Sequence, residues 1–298
     1  MSSVLRIVLV LLIISCASMV KAEPIRLEAK EHGRWLGSKL ELLKSDANDL
    51  ESVKSKDGWF KVDKTVPSFG YTNDSYWAKF SFEQPRLASE TFYLVFYGPF
   101  EDLDLYTSTG NEFAKTSQGM YLRELDTNFR YPVFKLILPP GTTQFFVKEN
   151  AVAPHFPVRI FSAQEFETFR YREHLFLMFV IGIALILLLF AIIATVKFPG
   201  MGNFLFLASY VSCILFTLYV TGGGRPISHE LGILFGVDLF PLEQLVFRNW
   251  MFLWGSTEFL SLLFGWYFLE QQNSVSKPVR NLQYLGLAAS FCLATVSY

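Results

Sequence analysis

Two stretches of the chain carry side chains that could hold a small polar ligand. Between Tyr76 and Phe82 residue types alternate, which sets Trp77 and Lys79 on one face of an extended strand and Tyr76, Ala78, Phe80 and Phe82 on the other. Asp102, Asp104 and Tyr106 share alternate positions further along. An aromatic face packs on sugar C–H groups while carboxylates and an ammonium bond the hydroxyls, so this set suits a shallow carbohydrate-binding surface. Alternating aromatics on strands usually serve core or cross-strand packing, and the pattern has both readings. A further carboxylate, Glu258, falls near the middle of an apolar run from Trp250 to Leu269. Charged and unpaired inside a bilayer it costs about 2.5–3.5 kcal/mol. It is expected to face neighbouring helices in its protonated form, bonding to Ser209, Tyr210, Ser212, Thr217 or Tyr219. Other chemistry is missing. The sequence has no phosphate-cradling loop, no nucleophile elbow and no paired histidines at metal-ligand spacing, since His32, His155, His174 and His229 are scattered. Gly222-Gly223-Gly224 lacks a following lysine and reads as a helix stop. No catalytic residue, metal or cofactor is expected, and the chain is not read as an enzyme.

The element that positions everything else runs from Leu175 to Val196, an uncharged stretch of 22 residues. At about 1.5 Å of helical rise per residue it matches the roughly 30 Å hydrocarbon core of a bilayer. Before it lies a segment rich in strand signals, and after it more apolar runs. Residues 1–22 have Arg6, an apolar core from Ile7 to Ile14 and a Val20-Lys21-Ala22 ending, the pattern of a signal peptide cleaved after Ala22. Ile13-Ile14-Ser15-Cys16 competes as a lipobox with Cys16 as the lipidated residue, and an uncleaved first helix is a third option. The three cysteines, Cys16, Cys213 and Cys292, leave residues 23–165 without any, so no disulfide framework holds that domain. With 26 basic against 27 acidic residues, no polybasic surface for nucleic acid is implied.

Residues 23–165 are expected to form an extracytoplasmic all-β domain, a jelly roll or β-sandwich of seven or eight strands. The expected strands are 58–62, 75–82, 91–97, 103–106, 133–138, 144–148 and 156–161, separated by turn signals such as Gly98-Pro99, Thr109-Gly110 and Pro139-Pro140-Gly141. Residues 38–51 could hold a strand or a short helix. Within this segment Ser68-Phe69-Gly70-Tyr71, then Asn73-Asp74-Ser75-Tyr76-Trp77-Ala78-Lys79-Phe80, Phe100-Glu101-Asp102-Leu103-Asp104-Leu105-Tyr106, Tyr131-Pro132-Val133-Phe134, Leu138-Pro139-Pro140-Gly141 and Phe156-Pro157-Val158 follow one another. Together they resemble the type 2 extracellular domain of the bacterial seven-transmembrane receptors with diverse intracellular signalling modules. The resemblance implies a domain similar to carbohydrate-binding modules, a seven-helix membrane domain and a cytoplasmic kinase, phosphatase or nucleotide cyclase. The chain departs from that pattern in lacking the usual tyrosines before Gly182 and in having no effector segment up to Tyr298.

Residues 171–298 read as an α-helical transmembrane domain with spans at 175–196, 204–221 and 250–269 and a truncated fourth at 282–298. The connection from Arg225 to Arg248 spaces Ile227, Leu231, Leu234 and Phe235 as a short helix at the outer interface. Lys197, Lys277 and Arg280 then fall in cytoplasmic loops, placing the N-terminal domain in the periplasm of a bacterial inner-membrane, multi-pass protein. The functional reading is a receptor that binds a small molecule or carbohydrate outside and signals to a cytoplasmic effector. A membrane-tethered accessory module without its own output is the alternative, and Glu258 raises a transporter-like third. The partners expected are the lipid bilayer and that ligand, with homodimerisation left open.

Overall fold

The computed structural model describes residues 23–271 apart from Tyr71, Asn73, Pro99, Glu101, Asn111, residues 120–128, 151–153 and 221–223, and all but 241 and 245 of 239–249. The expected signal peptide and fourth span lie outside the described residues, as does Lys277.

Among the described residues eleven strands form two facing sheets. They are β1 (Ile25–Arg26), β2 (His32–Trp35), β3 (Glu41–Lys44), β4 (Phe60–Lys61), β5 (Tyr76–Gln84), β6 (Glu90–Phe96), β7 (Asp102–Thr109), β8 (Glu112–Gln118), β9 (Val133–Leu138), β10 (Gly141–Asn150) and β11 (Val158–Ser162). Sheet A has the order β4-β3-β5-β10-β7-β8, with β1 pairing parallel to β5, and sheet B has the order β2-β11-β6-β9. Every pairing between neighbours in those two orders is antiparallel. The expected strands are present, and the ambiguous stretch around 38–51 holds both candidates in turn: β3, then helix α1 (Leu50–Lys54).

Period-2 alternation decides which side chains fill the space between the sheets. Phe80, Phe82, Phe145 and Leu105 from sheet A meet Phe92, Leu94, Phe96, Leu136 and Ile160 from sheet B, and all are buried. Phe80 stacks on Phe145 at 5.3 Å between ring centroids. This core stabilises the domain without disulfides, since a fully buried Phe contributes about 1.5–3 kcal/mol.

Helix α2 (Ala163–Lys197) follows β11 without a break and is 35 residues long, about 52 Å. Its Leu175–Val196 portion is apolar and mostly exposed, and a 35-residue helix exceeds the hydrocarbon core by roughly 20 Å. The excess is its N-terminal part, which lies on sheet B. Helix α3 (Met201–Val220) returns after a turn in which Asn203 Nδ2 donates to the Phe198 carbonyl at 2.7 Å. Among the described residues α2 and the Met201–Leu218 part of α3 are long and apolar enough to cross a membrane. Helix α4 (Gly224–Phe235) and helix α5 (Trp250–Gln271) follow.

Candidate functional site

The register of sheet A brings the sequence candidates onto one face. One row across the strands reads Leu43, Trp77, Lys148, Asp104 and Ser117, and the next reads Glu41, Lys79, Phe146, Tyr106 and Lys115. All ten side chains therefore point away from the core. Trp77 and Tyr106 stack across the intervening strand at 5.6 Å. Asp104 accepts from Ser117 Oγ at 2.6 Å and pairs with Lys115 Nζ at 2.9 Å, while Lys79 pairs with Glu41 at 2.9 Å. Asp102 stands exposed at the start of β7 and opens the next row, opposite Asn150.

Trp77 corrects the expectation of an open platform, because it is 0% exposed. The segment after β3 folds over it. Leu50 and Val53 of α1 pack with Leu43, Trp77 and Phe146, and the indole Nε1 donates to the Ala47 carbonyl at 3.2 Å. Asp49 caps α1 by accepting the Ser52 amide at 2.8 Å, which fixes the helix over the ring. Lys148 Nζ reaches Asn48 Oδ1 at 2.9 Å and closes the same cover. What faces solvent is the strip beyond the cover: Asp104, Tyr106, Lys115 and Ser117, flanked by Phe113 with Lys54 4.9 Å from its ring and Trp59 with Lys79 4.5 Å from its ring. Lys115 and Ser117 escaped the sequence reading because β8, Glu112–Gln118, has no aliphatic β-branched residue and offers Phe113, Thr116 and the preceding turn at Gly110 as its signals.

The outer face of sheet B is covered in a different way. Phe166 of α2 is fully buried and stacks on Tyr93 at 4.3 Å, and Phe169 stacks on Phe161 at 4.7 Å. Phe129, Val95 and Val133 complete this cluster. Arg130 pairs with Glu173, and His32 Nδ1 lies 3.0 Å from Glu165. Neither junction residue Phe166 nor Phe169 was singled out from the sequence, although their i,i+3 spacing marks a helix face. Beside the junction, Arg159 donates to the Gly33 carbonyl at 2.5 Å and to the Tyr97 hydroxyl at 3.1 Å, with Trp35 against its guanidinium. Burial raises the Tyr97 phenol to about 12 despite the nearby Arg159.

At the end of the sandwich where Phe69 N donates to the Pro154 carbonyl, Phe156 N to the Pro67 carbonyl and Tyr97 N to the Pro157 carbonyl, Glu149 is completely buried. Its carboxylate accepts the His155 amide at 3.1 and 3.2 Å, and burial pushes its pKa well above the usual carboxylate value.

In the helical half, Glu258 does not occupy the α3–α5 seam where it was expected. Ser212 bonds Thr257 at 2.8 Å and Ser256 at 3.1 Å, and Ser209 bonds Ser261 at 2.7 Å. Thr257 and Ser261, four residues apart, thus face α3, and Glu258, about 100° around the helix from Thr257, is exposed among the described residues. The seam is hydroxylic rather than carboxylic.

The described residues thus form a β-sandwich whose last strand runs into an apolar helix long enough to cross a membrane. Residues 39–161 match the model of the 7TMR-DISM extracellular 2 domain, a receptor sensor domain rather than an enzyme. The resemblance read from the motifs of this segment is thus shown over nearly the whole sandwich. Two of the solved structures that align with part of the chain are as follows. One is a β-glucosidase from Kluyveromyces marxianus in complex with glucose, with 11% identity over 43% of this chain and a TM-score of 0.26; the alignment spans 16% of that enzyme. The other is TmCBM61 in complex with β-1,4-galactotriose, with 13% identity over 44% of this chain and 85% of that one and a TM-score of 0.23. No curated protein matches the sequence.

Proposed function

We propose that the chain is the sensing part of a membrane receptor, with its sandwich outside a bacterial inner membrane and its helices passing ligand occupancy across it. The observation that carries this reading is the unbroken α2. Its first turns are buried on sheet B through Phe166 and Phe169, and the same helix becomes the first span, so no flexible linker separates the domain from the bilayer. A change in sandwich packing is then felt as a change in helix position, provided the ligand prefers one of two arrangements. The ligand class we favour is a carbohydrate or similar small polyhydroxylated molecule, taken by the strip of Asp104, Tyr106, Lys115 and Ser117 beside Trp59 and Lys79. These groups combine two aromatic faces with charged hydrogen-bonding partners on a rigid sheet. The test is a glycan array probed with the full chain in lipid nanodiscs. Saturable binding that Asp104→Ala and Lys115→Ala abolish supports the strip. Absence of binding to every glycan removes the carbohydrate reading. Binding without any change in distance between spin labels at Ser108 and Lys197 removes the receptor reading in favour of a tethered module.

A further inference from the structure

Strand pairing and the path of α2 together fix which end of the sandwich lies toward the membrane. Strand β11 pairs antiparallel to β6, from Val158 opposite Phe96 to Ser162 opposite Phe92. It therefore delivers the chain to the end that carries the β5–β6 turn, whose Leu87 is 98% exposed, and the Pro139-Pro140 turn. From there α2 turns back across sheet B. Its Phe166 lies on Tyr93, its Phe169 ring lies 5.7 Å from that of Tyr97, and its Glu173 meets Arg130. The helix thus leaves the sandwich at the opposite end, where Phe96 N donates to the Pro132 carbonyl and Tyr97 N to the Pro157 carbonyl.

Leu175, the first residue of the uncharged run, is only two positions beyond Glu173, about 3 Å along the helix axis. A headgroup layer is roughly 5 to 7 Å thick on each side of the hydrocarbon. The Arg130–Glu173 pair consequently falls within it, and so does the rim of the sandwich at that level. That rim carries Trp35, Tyr97 and Tyr131, half-buried and in mutual contact at 5.5 Å and 4.9 Å between successive rings, with Arg159 among them and exposed Arg172 on the adjoining turn of α2. Trp and Tyr concentrate where an apolar ring meets headgroups, and arginine pairs with phosphate through a forked set of donors.

We propose that the Trp35–Tyr97–Tyr131 rim, with Arg159 and Arg172, seats the sandwich on the phospholipid headgroups of the outer leaflet, so that the Leu87 end points away from the membrane. The continuity of α2 with its membrane-spanning portion names this occupant. The rim is a bilayer contact, and a ligand approaches by the sheet A strip or the far end. The inference rests on α2 spanning a bilayer, and its test keeps the two separable.

The full chain, with Cys16, Cys213 and Cys292 replaced by alanine, is placed in nanodiscs containing nickel-chelating lipid and spin-labelled at one site at a time. A label at Leu187, in the middle of the apolar run, should show oxygen-rich, nickel-poor hydrocarbon surroundings; failure there rejects the membrane reading itself. With that established, a label at Lys39, exposed in the turn after Trp35, should gain relaxation from headgroup nickel that a label at Leu87 does not. Equal relaxation at Lys39 and Leu87, or more at Leu87, overturns the seating. The gain at Lys39 should fall in Trp35→Ala and in Arg172→Glu, the second altering an exposed side chain that the fold does not need. A gain unchanged in both variants removes these side chains from the contact and overturns the proposal in that form.

Discussion

Both outer faces of the sandwich are aromatic and both are covered by a helix, yet the covers differ in kind. On sheet A, five-residue α1 presses Leu50 and Val53 onto Trp77 and Phe146 and goes nowhere. On sheet B, α2 presses Phe166 and Phe169 onto Tyr93 and Phe161 and then continues through the apolar run to Lys197. The first cover is local and leaves a charged strip at its edge. The second ties the packing of the sandwich to the position of a helix long enough to cross a membrane. A β-domain can thus use the same local physics, burial of an outer aromatic row, either to finish its own core or to couple to another body.

The two covers differ most in what the loss of their anchors should do. Trp77→Ala and Phe166→Ala each remove a fully buried aromatic, and each should cost about 3–5 kcal/mol. The consequences should diverge. Trp77→Ala should lower the unfolding midpoint of the sandwich in denaturant and leave the distance between labels at the exposed positions Lys135 and Leu175 unchanged below the transition. Phe166→Ala should widen that distance distribution under native conditions, because α2 loses its hold while its apolar run remains in the bilayer. Identical behaviour of the two variants would show that the covers are equivalent after all.

Between the two sheets, Glu149 is a completely buried ionisable side chain at one end of the sandwich. Its raised pKa, caused by burial, means that the folded state holds a proton that the unfolded state releases above the ordinary glutamate range. The stabilisation is fully present below the unfolded pKa of about 4.3 and is lost as pH rises toward the folded value. Glu149→Gln keeps an acceptor for the His155 amide and has no charge to bury. Thermal melts of the full chain in detergent, read by near-ultraviolet circular dichroism, should find the variant more stable than wild type near pH 8 and nearly equal to it near pH 4. A variant less stable at both values would mean that the carboxylate has a favourable partner in its charged form.

Much of this organisation was legible from residue order. The alternation at Tyr76–Phe82 placed β5, and the uncharged run after His174 placed the membrane portion of α2, because burial on one face and burial in lipid each leave a strong periodic or continuous apolar signature. The convergence of Lys79, Asp104 and Tyr106 on one face also followed from alternation. The cover on Trp77 did not, since α1 is only five residues long and its apolar contribution is the pair Leu50 and Val53, too little to stand out from a loop. The same limit hid β8. The seat of Glu258 depends on the rotation of α5 against α3, which hydroxyl pairs as small as Ser212–Thr257 decide and no apolar period reveals.

A smaller effect is expected at the cap that holds the sheet A cover in place. Asp49→Ala removes the acceptor of the Ser52 amide and should cost about 1 kcal/mol, a typical loss for a helix N-cap. Because α1 lies on Trp77, the loss should appear as faster hydrogen exchange at residues 50–54 together with a red shift of indole emission in a variant that keeps Trp77 as its only tryptophan. Unchanged exchange would mean that the apolar contact alone fixes α1.

The smallest effect on stability belongs to the pair that edges the strip. Lys115 is half exposed and Asp104 is 17% exposed, so their ion pair works largely in high dielectric. Breaking it with Lys115→Ala should shift the unfolding free energy by no more than about 1 kcal/mol. Asp104 keeps its bond from Ser117 in that variant, so the carboxylate remains held on the sheet. A ligand that uses Lys115 as a hydrogen-bond donor would then lose affinity by far more than stability changes, since a charged donor facing a hydroxyl is worth about 1.5–3 kcal/mol. Isothermal titration of wild type and Lys115→Ala, beside their denaturation curves, separates the two quantities. Parallel small losses in both would assign the residue to the fold of the β7–β8 hairpin, and the strip would keep only its aromatic half as a ligand surface.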